Sequence, residues 1–248
     1  MDSGTRHVPF EACFNFRDLG GYETVSGARV RWGAVYRSDA LHRLTDQDLE
    51  SARELGLRTV IDLRSSKELE DEGRFAHAHD VAFHHLPVFE HGALPFKPFE
   101  PDDPAPPPGE DYVAMATSGR ESIASALRVI AEGDHAVVFH CAAGKDRTGI
   151  VAALVLSSLG VPDELIAADY HLSEQAGAAW RAWAEQNDPE RAAEVAKLPS
   201  WAHRAPVPVI AAFLSSLRER YGSTDGYLTD AGVEDDVLDA LRARLLTN

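Results

Sequence analysis

His140-Cys141-Ala142-Ala143-Gly144-Lys145-Asp146-Arg147-Thr148-Gly149 follows the apolar run Ala136-Val137-Val138-Phe139 and leads into Ile150-Val151-Ala152-Ala153-Leu154-Val155-Leu156. A β-branched and aromatic run, a glycine-containing turn and a longer apolar run predict a buried strand, a tight loop and a buried helix. That order makes an anion cradle, because the N–H groups of the loop and of the helix's first turn converge on one point, where the helix dipole adds partial positive charge. Cys141 stands at its mouth. A free thiol ionises near pH 8.5 and a thiol at a helix N-terminus or beside cations at about 3.5–7.5, so Cys141 is expected to be a thiolate, hence a nucleophile. Arg147, on the first turn of the helix, brings a planar fork that grips two oxygens of a phosphate. Ala142, Ala143, Gly144, Lys145, Arg147 and Thr148 form the expected phosphate-binding set. The Thr148 hydroxyl is suited to donate to the sulfur when it departs.

Cys141, five residues, Arg147 and Thr148, with His140 and Gly144 about them, resemble the signature loop of the protein tyrosine phosphatase superfamily. Lys145-Asp146 before the arginine is similar to its bacterial branch of tyrosine and phosphoinositide phosphatases, the atypical dual-specificity kind. Asn15-Phe16-Arg17-Asp18-Leu19-Gly20-Gly21-Tyr22, Tyr36-Arg37-Ser38-Asp39, Ile61-Asp62-Leu63-Arg64-Ser65 and Asp169-Tyr170-His171-Leu172-Ser173 resemble that branch too, so the likeness spans most of the chain. It implies a phosphatase-like α/β fold, a central mostly parallel sheet flanked by helices with a helical C-terminal part. It also implies a cysteine-dependent hydrolase of phosphate monoesters acting through a cysteinyl-phosphate, with no metal or cofactor. Phosphotyrosine is the expected substrate, with phosphoserine, phosphothreonine and phosphoinositides as further candidates.

The 248 residues are long for one domain, yet α/β units often reach this length, and a single domain over 1–248 is expected. A formal net charge of −16 argues against nucleic acid and anionic membranes as partners. No apolar run is long enough to cross a bilayer, and no secretory signal opens the chain, so a cytoplasmic location is expected, with export lacking a signal peptide left open. The oligomeric state is not legible. Two cysteines, Cys13 and Cys141, make no disulfide framework, and Cys13 reads as a buried small hydrophobe.

Upstream, Gly20-Gly21 and Ser26-Gly27 are turn signals, and Ala28-Arg29-Val30-Arg31-Trp32 is expected in a hairpin. Arg17 and Asp18 read equally as a surface ion pair or as pocket wall. Thr45-Asp46-Gln47-Asp48 starts a helix, Arg58–Leu63 reads as an internal parallel strand, and Ser66-Lys67-Glu68 begins another helix. Asp62 and Arg64, at the carboxyl end of that strand, should face the side of Cys141. Residues 89–109 hold seven prolines and read as a solvated loop or a lid over the site. The histidines at 77, 79, 84, 85 and 91 lack metal-ligand spacing. One helix is expected from Asp111 to Glu132, and two final helices near 209–220 and 233–246. Trp180, Trp183 and Trp201 read as packing residues.

A phosphatase needs a general acid for its leaving oxygen. The tryptophan-proline-aspartate triplet that many tyrosine phosphatases use is missing, so Asp146, at the rim of the loop, is the first candidate. Asp62 is second, followed by Asp102, Asp103 and Glu110; Arg64 and Arg17 are candidate pocket wall. An ammonium at Lys145 favours substrates with a second negative group. Two other readings stay open: a rhodanese-like sulfurtransferase, whose loop also sets a cysteine before an arginine, and a non-catalytic phosphate-binding module.

Overall fold

A computed structural model describes residues 6–75, 81–90 and 109–247. The chain runs β1 (Arg17–Asp18), β2 (Arg29–Val30), β3 (Val35–Ser38), α1 (Asp46–Glu54), β4 (Leu57–Asp62), α2 (Ser66–Glu72), β5 (Ala82–His85), α3 (Glu110–Ser118), α4 (Arg120–Glu132), β6 (Ala136–His140) and α5 (Asp146–Ser158). It continues through α6 (Asp163–Asn187), α7 (Pro189–Ala196), a 3-10 turn (Ser200–His203), α8 (Val207–Tyr221), α9 (Thr224–Asp230), α10 (Asp235–Leu245) and β7 (Leu246–Thr247). The main sheet has the order β1-β3-β6-β4-β5, antiparallel only at β1–β3. This is the α/β architecture expected, with helices following the last parallel strand.

Alternation along the strands divides the core. Tyr36, Val60 and Val138 face one side, with Phe10, Phe16 and Leu49 of α1. Val35, Ile61, Val137 and Phe139 face the other, against α3, α4, α5 and α8. Side chains of successive strand residues point to opposite faces, so two apolar faces need a continuous apolar run, which β6 supplies. Every residue of α5 from Arg147 to Leu156 is buried, and Ile150 to Leu156 is apolar on every side, as a buried helix must be. In register, Ser38 and Asp62 both lie level with His140. Three parallel strands therefore end at one edge, where ligands of such sheets bind.

Two expectations are corrected. The helix expected over 111–132 is broken at Gly119, because the chain there presses on the segment after β5: a Cβ on Gly119 would lie 2.3 Å from the Val88 carbonyl oxygen. The segment around β2 does fold back, with Val30 N–H donating to Tyr22 O at 2.9 Å, but its strand partner is β7 at the other end of the chain. Between the two final helices stands a third, α9, capped by Ser223. The Thr45 start of α1 is found as read, with a reciprocal cap between Thr45 and Asp48. Most of the proline-rich stretch, 91–108, lies outside the described residues, as do Asp102, Asp103, His77, His79 and His91.

Candidate active site

The loop after β6 is held from outside by its carbonyls. Ala142 O accepts from Ala40 N–H at 3.1 Å. Asn15 Nδ2 donates to Ala143 O at 2.9 Å and Gly144 O at 3.0 Å, and Arg37 Nη2 donates to Gly144 O at 2.8 Å. In a planar trans peptide the carbonyl and the following N–H point opposite ways. The N–H groups of Ala143, Gly144 and Lys145 are thereby turned away from the scaffold. Gly144 takes φ +64°, and a Cβ there would stand 2.5 Å from Ser38 O, so only glycine lets the loop lie against the end of β3.

Asn15 and Arg37 are themselves fixed by buried charge. Arg37 Nη1 donates to Asp169 Oδ2 at 2.6 Å and Arg17 Nε to Asp169 Oδ1 at 3.0 Å, all three side chains at most 3% exposed. Arg17 also donates to the Asn15 side-chain oxygen, and Tyr22 OH to Asp169 Oδ1. Burial would raise the Asp169 carboxyl, but Arg17 and Arg37 overcome it and hold it far below the usual range. Burial, with repulsion from Arg17, brings the Arg37 guanidinium down to about 10 against the pull of Asp169.

Over the loop opens a cavity of about 280 Å³, lined by Cys141, Ala142, Ala143, Lys145, Asp146 and Arg147 and walled by Arg43, Trp180, Arg181 and Arg191. Arg147 Nη1 and Nη2 donate to the two oxygens of Glu68 on α2 at 2.5 and 2.8 Å. Ser65 N–H and Oγ donate to the same carboxylate. Burial alone would raise the Glu68 carboxyl, yet Arg147 and Ser65 bring it down to about 2. An end-on carboxylate uses one N–H of each terminal nitrogen, and five donors are available, so among the described residues the Nε–Nη2 edge of Arg147 is left to a second anion. Asp146 heads α5 at the cavity rim, where Tyr112 OH donates to its Oδ1 at 2.6 Å.

Residues 8–247 match the family model described as the tyrosine phosphatase family. The chain belongs to that family. It is 36% identical over 248 positions to a putative tyrosine-protein phosphatase of Cupriavidus necator, covering 94% of this chain and 86% of the relative. It is 30% identical to the triple specificity protein phosphatase PtpB of Mycobacterium tuberculosis, covering 97% and 99%. With a tyrosine-protein phosphatase of Nostoc commune it shares 32% identity over 86% of this chain and 74% of the relative. The chain is thus a phosphoric monoester hydrolase acting on phosphorylated substrates, and the sulfurtransferase and binding-module readings are not favoured. Among the described residues no helix is long and apolar enough to cross a membrane.

Within this phosphatase Cys141, Ala142, Ala143, Lys145, Asp146 and Arg147, of the loop residues named from sequence, line one cavity, whereas Gly144, pressed against Ser38, and Thr148, fully buried, do not, and neither do Asp62, Arg64 and Arg17. Asp62 and Arg64 are fully buried and bound to each other at 2.7 Å, and Arg64 reaches on to Glu72 and the Gly73 carbonyl. Burial would raise the Asp62 carboxyl, but His140 and Arg64 take it down to about 2. Arg17 is no surface partner of Asp18: it turns to Asp169, while Asp18 accepts from the backbone N–H groups of Gly20 and Gly33. Glu110 is exposed at the start of α3. Lys145 Nζ donates to Ala202 O and Arg204 O and stands 3.5 Å from Asp146 Oδ1, so its ammonium joins the loop to the 3-10 turn. Cys13 is buried, its Sγ donating to Asp39 Oδ1 at 2.7 Å; burial, then the Asp39 charge, push this thiol well above its ordinary range. Trp180 faces the cavity, while Trp183 packs on Phe14. Among the described residues no group of three or more His, Cys, Asp or Glu could hold a metal.

Six contributors escaped the sequence reading: Glu68, Tyr112 and Asp111 beside the loop, and Arg43, Arg181 and Arg191 in the cavity wall. Only Glu68 had a local signal, Ser65-x-x-Glu68, and that signal reads as a helix cap. Asp111 lies beside Asp146 without lining the cavity; burial, then the Asp146 charge, raise its carboxyl to about 6.

Proposed function

We propose that this phosphatase works through a cysteinyl-phosphate, as a single catalytic unit. Cys141 Sγ attacks phosphorus in line; the S–P bond forms as the P–O bond breaks, and Asp146 gives its proton to the departing oxygen. The loop N–H groups and the open edge of Arg147 hold the three equatorial oxygens. Water, surrendering a proton to Asp146, then attacks phosphorus and releases inorganic phosphate. The sulfur leaves as a thiolate, stabilised by Thr148, whose buried Oγ1 has no hydrogen-bond partner among the described residues. Asp62 and Arg64 then serve to fix the end of β4, and Arg17 to fix Asn15 and Asp169. A reducing, cytoplasmic setting suits such a thiol.

The observation that carries this reading is the outward tethering of three consecutive loop carbonyls, which turns the amides toward the cavity holding Cys141. It supports phosphoryl binding rather than mere burial of a cysteine. The test is mass spectrometry of acid-quenched turnover: phosphate on the Cys141 peptide, absent in Cys141→Ser, which also loses all hydrolysis. Hydrolysis retained by Cys141→Ser refutes the mechanism.

Substrates carrying a second negative group, whether phosphoinositides or acidic phosphopeptides, suit the wall of the cavity. Arg43 and Arg181 line it, and neither is paired with a carboxylate among the described residues, in a chain with 40 acidic against 24 basic residues. Arg181→Ala is expected to slow hydrolysis of a polyphosphorylated inositol more than that of a simple aryl phosphate; equal losses refute a subsite there. The triple specificity in the name of the mycobacterial relative is compatible with such breadth.

A further inference from the structure

We propose that Tyr112, backed by Tyr170, is a positioning residue for Asp146, holding its Oδ1 as an acceptor so that the proton for the leaving oxygen is carried on Oδ2. The inference rests on the reading of Asp146 as general acid. Tyr112 OH lies 2.6 Å from Asp146 Oδ1 and 2.6 Å from Tyr170 OH, and both rings are buried. A phenol has one proton and Asp146, when ionised, can only accept. Tyr112 therefore donates to Asp146 and receives from Tyr170, which orders the chain of hydroxyls toward the carboxylate.

Neither ring is free to turn. Tyr112 packs edge-on to Tyr170 and to Phe213 of α8, with centroids 6.0 and 6.3 Å apart. A Cβ on Gly149 would come within 3.1 Å of the Tyr170 ring, so the missing side chain on the second turn of α5 makes room for it. Asp146 is thus tied to α3 and α6 through two rigid rings, whereas an unsupported aspartate at the rim would swing between rotamers. The charged or titratable groups facing it are Asp111 and Tyr112 from α3, Lys145 and Arg147 from the loop and α5, and Tyr170 from α6. With Lys145 Nζ also nearest Oδ1, a proton on that oxygen would face donors, and Oδ2 is the oxygen left to carry it.

The experiment compares leaving groups. Tyr112→Phe keeps the ring and removes the donor. Hydrolysis of phenyl phosphate, whose phenoxide needs a proton, should fall about ten-fold, part of the general-acid contribution, while that of an aryl phosphate with an acidic nitrophenol changes less than about two-fold. The loss should fall on kcat for phenyl phosphate, with KM changed less than about two-fold, because the proton is needed only as the P–O bond breaks. Tyr170→Phe should act in the same direction and less. In an Asp146→Asn background Tyr112→Phe should add nothing. Equal losses on both substrates, a loss carried by KM, or full additivity with Asp146→Asn would overturn the inference. If Asp146→Asn is itself indifferent to the leaving group, the acid reading falls and takes this one with it; if it is sensitive and Tyr112→Phe is not, the inference alone falls.

Discussion

Replacing Glu68 by glutamine removes one charge and leaves the shape, and the geometry at Arg147 sets the size of the effect. The pair has two hydrogen bonds of 2.5 and 2.8 Å, with side chains 21% and 9% exposed. A carboxyl brought from an ordinary 4.5 down to about 2 stabilises the fold by about 3 kcal/mol at neutral pH. The exposed edge of Glu68 reduces that to about 2 kcal/mol. Because the folded-state value is the lower one, this stability is present above about pH 4.5 and is lost as the pH falls through about 2. Urea unfolding of both proteins at pH 7, 5, 4 and 3 should show Glu68→Gln weaker by about 2 kcal/mol at pH 7, with the gap narrowing below pH 4.5. Arg147, released from its anchor, should also cost kcat/KM on an aryl phosphate about ten- to thirty-fold at pH 7, the equivalent of about 1.4–2 kcal/mol. A stability gap that stays constant from pH 7 to 3, or an unchanged kcat/KM, would show that Glu68 does not hold Arg147 in the way described.

Asp169→Asn leaves Arg17 and Arg37 as uncompensated buried cations, and a loss of about 3–5 kcal/mol is expected, read as a fall in the urea midpoint. Gly144→Ala drives a Cβ against Ser38 O and Asp39 N at a positive φ, so the loop must move. Its kcat/KM should drop at least about ten-fold while Tm falls by only a few degrees, since the strain of about 1–3 kcal/mol is local. Asn15→Ala frees the Ala143 and Gly144 carbonyls, each bond being worth about 1 kcal/mol; a rise in the inhibition constant of inorganic phosphate checks it. An Asn15→Ala enzyme that binds phosphate unchanged would mean the loop keeps its shape without that tether.

Local chemistry made the centre of the molecule legible. The apolar run of β6, the glycine turn and the apolar α5 are dictated by neighbours in sequence, and so is the Thr45 cap. What was not legible depends on approach between distant segments. Gly119 looks like any helical glycine until Val88 is placed against it. Arg17 next to Asp18 suggests a pair, but strand neighbours point to opposite faces, and the two side chains find different partners. Glu68 is 79 residues from Arg147, and only the level ends of β4 and β6 bring α2 over the loop. Tyr112 follows the proline-rich stretch as one more aromatic in a helix, and its hydroxyl gains a role only where α3 meets the rim.

The same dependence explains why a cysteine-x5-arginine pattern by itself says little about chemistry. Three carbonyls of this loop are turned outward by Asn15, Arg37 and the backbone of Ala40, and the two side chains are oriented by Arg17 and Asp169. Burying Arg17, Arg37 and Asp169 is a poor route to stability, since the desolvation of three charges offsets much of their attraction and apolar residues of like volume would hold the fold as well. Apolar residues could not donate to a carbonyl. The buried charges are therefore best accounted for by direction: they fix which way the peptides of 142–144 face, and so decide whether the pocket above Cys141 offers amides or carbonyls to an anion.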